Sequence, residues 1–168
     1  LKINGKICRD TGNPNIPRHA IWRPMMTWEA IGGLDPNVRH SEVKGSWDPQ
    51  ARLADMDEMG VDQAFLYPTW FAEGFHLVED PDVAYALARA YNDWIADFCS
   101  THPDRLYGVA HISLIDVDLA IAELKRAAKL GLKSMLMTPY PTNGKAYGDT
   151  YYDPFWAEAQ DLGIPVGL

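Results

Sequence analysis

Apolar and polar residues along this chain form a rhythm that repeats three times after residue 50. Each time, a stretch with apolar residues at helical spacing leads into a glycine, and the glycine leads into a short, nearly continuous apolar run. The glycines are Gly60, Gly131 and Gly163. Glycine just past a helix readily adopts the left-handed conformation that releases the chain toward a strand. Amphipathic helices that alternate with short buried strands are typical of a parallel α/β protein.

The pattern predicts four helices and four strands. Asp48-Pro49, Asp80-Pro81 and Asp153-Pro154 each place a capping carboxylate before a proline suited to the first helical turn. The helices are expected at residues 48–59, 82–101, 118–130 and 154–162, and the strands at 63–67, 106–114, 133–138 and 164–168.

The helical periodicity also predicts which residues face the core. On the second helix the predicted apolar face consists of Leu87, Tyr91, Trp94, Ile95 and Phe98. On the third helix it consists of Ile121, Leu124 and Ala128. Asn92 and Asp93 are interpreted as part of a solvated face.

Residues 1–47 differ from the rest of the chain, because they are rich in Pro, Gly and Asn and lack a sustained period. Asn4-Gly5, between apolar flanks, is the strongest short signal for a two-residue hairpin turn. We therefore divide the chain into an irregular, hairpin-containing excursion over 1–47 and a regular region over 48–168.

The regular region is about half of the roughly 250 residues of an eight-stranded (β/α) barrel. We expect a partial (β/α)8 TIM barrel, about its second to fifth units, that is incomplete at its C-terminus because the last strand ends with the chain. An open doubly wound sheet is the alternative architecture. Its usual nucleotide signature is missing, since the sequence contains neither GxGxxG nor GxxxxGK[ST].

Charge and cysteine content limit the classes of partner and the cellular location that the chain suits. The formal net charge is −8 and no basic cluster offsets it, which argues against a nucleic-acid partner and against an anionic membrane surface. No apolar run approaches the roughly 18–20 residues of a membrane span. Cys8 and Cys99 lie far apart, as is typical of reduced thiols in a cytoplasmic protein.

Parallel α/β proteins place their reactive groups at the carboxyl ends of the strands. The longest strand-to-helix loop there is 67–76, in which Trp70, Phe71 and His76 are candidates to wall a pocket for a planar organic substrate. The alternative is that these side chains only pack against the excursion. The loop 138–145 offers Tyr140 and Lys145 for an anionic group, or is a plain solvated turn. Asp116 is interpreted as the start of the next helix.

His111 has two interpretations, because it lies within a predicted strand among apolar neighbours. A strand histidine that points into a barrel can bind a metal, whereas a packed core histidine has no such role. His111 lies three residues before the predicted end of its strand, which favours the core. The sequence has no HxH, HExxH or GxSxG motif, so the residues themselves assign no catalytic group and no metal ligand.

Several short stretches, in order, resemble the amidohydrolase-related family, which includes aminocarboxymuconate-semialdehyde decarboxylase and resorcylate decarboxylases. One is Tyr152-Asp153-Pro154-Phe155-Trp156; the full set covers residues 52–62, 87–94, 103–106, 152–156 and 163–166. The resemblance implies a metal-dependent (β/α)8 barrel whose metal ligands lie before Leu1 and after Leu168. It assigns no ligand role to His111.

The resemblance implies a metal-dependent hydrolase of a small organic substrate. A non-oxidative decarboxylase on the same scaffold is the alternative, and a non-catalytic α/β interaction domain is an alternative of another class. The expected cofactor is a divalent metal, zinc first and manganese second, with its ligands outside this chain. Trp70, Phe71, His76 and Tyr140 are the expected substrate-binding residues. A homo-oligomer of the full-length protein is left open.

Overall fold

The protein is described from a computed structural model, which covers residues 44–68, 78–139 and 143–167 and the backbone of Lys2–Ile3 and Lys6–Ile7. Two compact units are present. One consists of Leu1–Cys8 with Phe65–Leu168, and the other of Arg9–Ala64.

The predicted N-terminal hairpin is confirmed. Strand β1 (Lys2–Ile3) pairs antiparallel with β2 (Lys6–Ile7), so that Lys2 lies opposite Ile7 and Ile3 opposite Lys6. Asn4 and Gly5, on which the turn prediction falls, lie outside the described residues.

The first predicted helix is also confirmed, as α1 (Pro49–Met59). The Asp48 carboxylate caps its N-terminus by accepting hydrogen bonds from the backbone N–H groups of Gln50 and Ala51. Gly60 ends the helix in the left-handed conformation, with φ at 70°. A short 3-10 helix, Lys44–Ser46, precedes α1.

Four parallel strands form one sheet: β3 (Ala64–Leu66), β4 (Leu106–His111), β5 (Ser134–Leu136) and β6 (Val166–Gly167). Their spatial order is the same as their order along the chain. The sequence predicts all four strands, but with longer bounds than the structure has. Because a doubly wound sheet reverses its strand order at a switch point, the unbroken order favours the barrel over the alternative architecture.

The helices between these strands are α2 (Pro81–Ser100), α3 (Val117–Lys129) and α4 (Asp153–Asp161), each within one or two residues of its predicted bounds. Asp80 caps α2 and Asp116 caps α3, so the interpretation of Asp116 as a helix start is confirmed. The predicted cap Asp153 is wrong: it is the first residue of α4 and makes no side-chain capping bond. Asp149 instead caps the preceding 3-10 helix, Thr150–Tyr152, through the N–H of Tyr151.

The buried face of α2 is rotated from the predicted one. Tyr91, Ile95 and Phe98 are buried as expected, but Leu87 and Trp94 are 36% and 47% exposed. The residues that replace them on the buried face are Ala84, Ala88, Asn92 and Cys99. Small side chains let the helix backbone approach the sheet, which a count of large apolar residues does not detect.

On α3, Leu124 is fully buried as predicted, while Ile121 and Ala128 are only half-buried. The rest of the buried face consists of Ala120, Glu123 and Ala127. In the part of the chain that the structure describes, no helix is both long and apolar enough to cross a membrane.

Candidate functional site

Strand β4 shows which face of the sheet is turned toward the helices. A side chain at Gly108 would lie 2.7 Å from Leu132 Cδ2 and 3.2 Å from Ile95 Cγ1, so this position faces α2 and the residues after α3. Successive strand residues point to opposite faces. Tyr107, Val109 and His111 therefore point away from the helices, toward what is the interior in a (β/α) barrel.

Three strands and the residue directly after β3 each contribute one residue to the carboxyl end of this interior face. His111 is in register with Leu136 of β5, and Leu136 is in register with Gly167 of β6. From the end of β3, the Tyr67 ring lies 3.7 Å from the position that a Gly167 Cβ would occupy. We call Tyr67, His111, Leu136 and Gly167 the carboxyl-end layer.

His111 is the last residue of β4, so the prediction that it lies three residues inside its strand is wrong. The strand ends earlier than the apolar run does. The side chain is only 1% exposed, and burial lowers the pKa of the imidazole to about 4. His111 is therefore neutral near pH 7, at the edge of the sheet where barrel enzymes bind their substrates.

Asn92 fixes the backbone of His111. Its Nδ2 group donates to the His111 carbonyl oxygen at 3.0 Å, and its Oδ1 accepts from the His111 N–H at 2.8 Å. The next peptide group points toward β5 instead, since the Ile112 N–H donates to the Leu136 carbonyl oxygen. Asn92 thus supplies to His111 the pair of hydrogen bonds that an adjacent strand would otherwise make.

Glu123 holds Asn92 in turn, and Arg126 holds Glu123. Its Nδ2 group also donates to Glu123 Oε1 at 2.7 Å, and Glu123 is buried. Arg126 donates to both oxygens of Glu123, at 2.7 and 2.8 Å, and also pairs with Asp93. The hydrogen bonds that Arg126 donates to Glu123, above all, raise the pKa of Arg126. A network of hydrogen bonds and ion pairs therefore joins α2, α3 and the end of β4.

The interpretation of Asn92 and Asp93 as a solvated face is wrong for Asn92, which is fully buried, while the Asp93 side chain is 56% exposed. Sequence reasoning missed Asn92, Glu123 and Arg126. A signal was present, because Asn92 follows Ala88 by four residues and precedes Ile95 by three, which are neighbouring positions on one helix face.

The loop after β5 is held by its own tyrosines. Tyr147 donates to the Thr138 carbonyl oxygen at 2.8 Å, and Tyr152 donates to Asn143 Oδ1 at 2.6 Å. Lys145, a predicted anion-binding residue, lies over the Tyr151 ring with its Nζ 5.3 Å from the ring centroid. The role of Lys145 in binding an anion stays a prediction.

Trp70, Phe71, His76 and Tyr140 lie outside the described residues, so their predicted role in substrate binding stays a prediction. Within the described residues, no group of three or more His, Cys, Asp or Glu side chains lies close enough to hold a metal ion. These residues therefore do not fit a metal centre by themselves, and no catalytic step is assigned through one.

The parallel strands follow one another in chain order, with the helices on one face of the sheet and the carboxyl-end layer on the opposite face. This arrangement is part of a (β/α)8 barrel. The chain belongs to the amidohydrolase family, whose model matches residues 18–168. The resemblance seen in the sequence is thereby confirmed.

Three proteins of named activity are similar to this chain. Gamma-resorcylate decarboxylase of Rhodococcus jostii is 33% identical over 140 residues, which are 73% of this chain and 42% of that protein. The crystal structure of 2,6-dihydroxybenzoate decarboxylase, complexed with 2,6-dihydroxybenzoate, matches 68% of this chain and 37% of its own chain, with a TM-score of 0.61 and 30% identity. The structure of 5-carboxyvanillate decarboxylase from Novosphingobium aromaticivorans, with bound manganese, matches 82% of this chain and 40% of its own, with a TM-score of 0.66 and 29% identity.

The chain spans less than half the length of the relatives it matches, between 37% and 42% in these three cases.

Proposed function

We propose that the whole protein encoded with this chain is a metal-dependent, non-oxidative carboxy-lyase that releases the carboxyl group of a small aromatic acid as CO2. The observation that carries this proposal is that similar proteins matched over about 70% of the chain are decarboxylases of hydroxylated benzoates. They favour decarboxylation, the alternative in the sequence interpretation, over the hydrolysis that was expected first.

This chain contributes the carboxyl ends of four neighbouring strands, the part of a barrel from which substrate sites are built. Loop 67–76 begins at Tyr67, directly after β3, and Tyr140 follows the end of β5 by four residues. These positions support the proposal that Trp70, Phe71, His76 and Tyr140 wall the substrate pocket. The end of β4, whose backbone Asn92 holds, borders the same edge.

The proposed cofactor is a divalent metal held by ligands outside this chain. The similar 5-carboxyvanillate decarboxylase was solved with manganese, which favours manganese over the zinc that was expected first. When bound, such a metal would orient a carboxylated substrate.

Hydrolysis is the second candidate, because the family model that matches the chain is described as amidohydrolase. Membership of that family favours either enzyme over the non-catalytic interaction domain. The buried free thiol of Cys99 supports a reducing, cytoplasmic location for the proposed enzyme. A homo-oligomer stays open.

The test uses the complete open reading frame, expressed and purified, then stripped of metal and reloaded with Mn2+ or Zn2+. The substrates are 2,6-dihydroxybenzoate, 5-carboxyvanillate, and a matched set of aryl amides and lactones. We expect CO2 release from at least one benzoate, more with Mn2+ than with Zn2+, and no turnover after metal removal. Hydrolysis of an amide or lactone without CO2 release from any acid would overturn the proposal in favour of the second candidate.

A further inference from the structure

The carboxyl-end layer contains one exposed aromatic side chain. Tyr67 is 50% exposed, whereas His111, in the same layer, is buried. Phe65, two residues before Tyr67, is on the same face, because its ring packs against that of Tyr107 with centroids 5.1 Å apart. Tyr67, the residue directly after β3, therefore lies on the barrel-interior face, and its ring is half exposed.

Position 167, a glycine in β6, lies beside the Tyr67 ring. A side chain there would begin 3.7 Å from Tyr67 Cε1 and 3.4 Å from Leu136 Cδ1. The Tyr67 ring therefore reaches across the sheet to van der Waals distance of a side chain at position 167 of β6. Larger residues at this position would displace the ring or narrow the space next to it.

The chemistry of the carboxyl-end layer suits the ring of an aromatic acid rather than its carboxylate. Tyr67, Leu136 and the neutral His111 carry no positive charge, so they are not built to attract a carboxylate. An exposed aromatic ring beside an aliphatic side chain instead favours contact with another planar ring.

We propose that Tyr67 is a specificity-determining residue whose ring lies against the aromatic ring of the substrate at the carboxyl end of β3. This proposal rests on the proposed function for the class of substrate. It adds the residue that recognises the planar ring, separately from the groups that hold the carboxylate.

The experiment compares Tyr67→Ala and Tyr67→Phe in the complete, manganese-loaded protein. Tyr85→Ala is the matched control, since Tyr85 pairs with Arg89 of α2, which packs on the opposite face of the sheet from the layer. The dissociation constant of 2,6-dihydroxybenzoate is measured by calorimetry, and kcat and KM by CO2 release. Circular dichroism melting of each variant verifies that it is folded.

We expect Tyr67→Ala to raise both the dissociation constant and KM by about tenfold, because that is the size of one aromatic contact. The value of kcat should change by less than about twofold. Tyr67→Phe, which keeps the ring, and Tyr85→Ala are expected to behave as wild type. Unchanged binding in Tyr67→Ala would overturn the proposal, and so would an equal loss in Tyr67→Phe.

The two proposals fail in different ways. If wild type binds 2,6-dihydroxybenzoate in a Tyr67-dependent manner but releases no CO2, the proposed function fails and the role of Tyr67 stands. If wild type releases CO2 and Tyr67→Ala binds and turns over normally, only the role of Tyr67 fails. If wild type binds neither 2,6-dihydroxybenzoate nor 5-carboxyvanillate, both proposals are overturned.

Discussion

A single amide side chain, that of Asn92, completes the hydrogen bonding of the last residue of β4. It bonds to both backbone groups of His111 and to the buried carboxylate of Glu123. Buried polar groups are costly when they lose a partner, because the remaining group cannot turn to water. The position therefore requires an amide rather than any side chain of similar size.

Asn92→Asp tests this requirement. The substitution removes the donor to the His111 carbonyl oxygen and places a second carboxylate beside Glu123. We expect a loss of about 2–4 kcal/mol in the free energy of unfolding of the complete protein, measured by urea denaturation. Asp93→Asn, at the adjacent and mostly exposed position, is the control and should cost less than about 1 kcal/mol. Equal losses in the two variants would contradict the account of Asn92.

His111 predicts a dependence of stability on pH. Burial lowers the pKa of its imidazole from 6.5 to about 4. Between these values the unfolded chain binds a proton that the folded protein does not, so stability falls as the pH decreases through this window. The full effect is about 3 kcal/mol.

His111→Gln should therefore flatten the decline in the free energy of unfolding between pH 7 and pH 4.5, relative to wild type. His102→Gln, at a position just after α2, is the matched comparison variant. A parallel decline in wild type and His111→Gln would show that the imidazole of His111 is not buried in its neutral form.

At the level of secondary structure, most elements are predictable from the sequence because local signals set their ends. Asp48, Asp80 and Asp116 cap helices, and Gly60, Gly131 and Gly163 all have φ between 64° and 89°. The strand ends are not predictable in the same way. The apolar run from 106 to 114 continues past His111, but ladder pairing ends there, and pairing depends on neighbouring strands rather than on the run itself.

The close approach of α2 to β4 gives a prediction at this level. In Gly108→Ala the new methyl group would lie 2.7 Å from Leu132 Cδ2 and 3.2 Å from Ile95 Cγ1. We expect overpacking to lower the free energy of unfolding by about 1–3 kcal/mol. Gly148→Ala is the matched control, because a methyl group there has no atom within 4 Å. Thermal melting of the two variants measures the difference, and equal melting temperatures would contradict the close approach.

For the molecule as a whole, the sequence predicts the barrel but not the interior of its site. The order of the helices, glycines and strands indicates consecutive barrel units, and the strand order agrees. The carboxyl-end layer could not be predicted, because it depends on the register of His111 with Leu136 and of Leu136 with Gly167. Register and sidedness come from tertiary packing, which no local pattern in the sequence encodes.

The isolated chain of residues 1–168 is expected to be only marginally stable. The described sheet has two edge strands, β3 and β6, and the large side chains of Phe65 and Tyr67 are 53% and 50% exposed on its barrel-interior face. We expect a broad thermal transition, self-association and rapid hydrogen exchange in β6. A sharp transition of a monomer with strong protection of β6 would contradict this expectation.

The central claim is that this barrel belongs to an enzyme that breaks a carbon–carbon bond to a carboxyl group. The most direct measurement follows 2,6-dihydroxybenzoate labelled with carbon-13 in its carboxyl group, incubated with the complete, manganese-loaded protein in heavy water. We predict labelled CO2 and an aromatic product that carries one solvent deuterium at the carbon that lost the carboxyl group. Recovery of the labelled acid unchanged, together with hydrolysis of amide or lactone substrates by the same preparation, would contradict the claim.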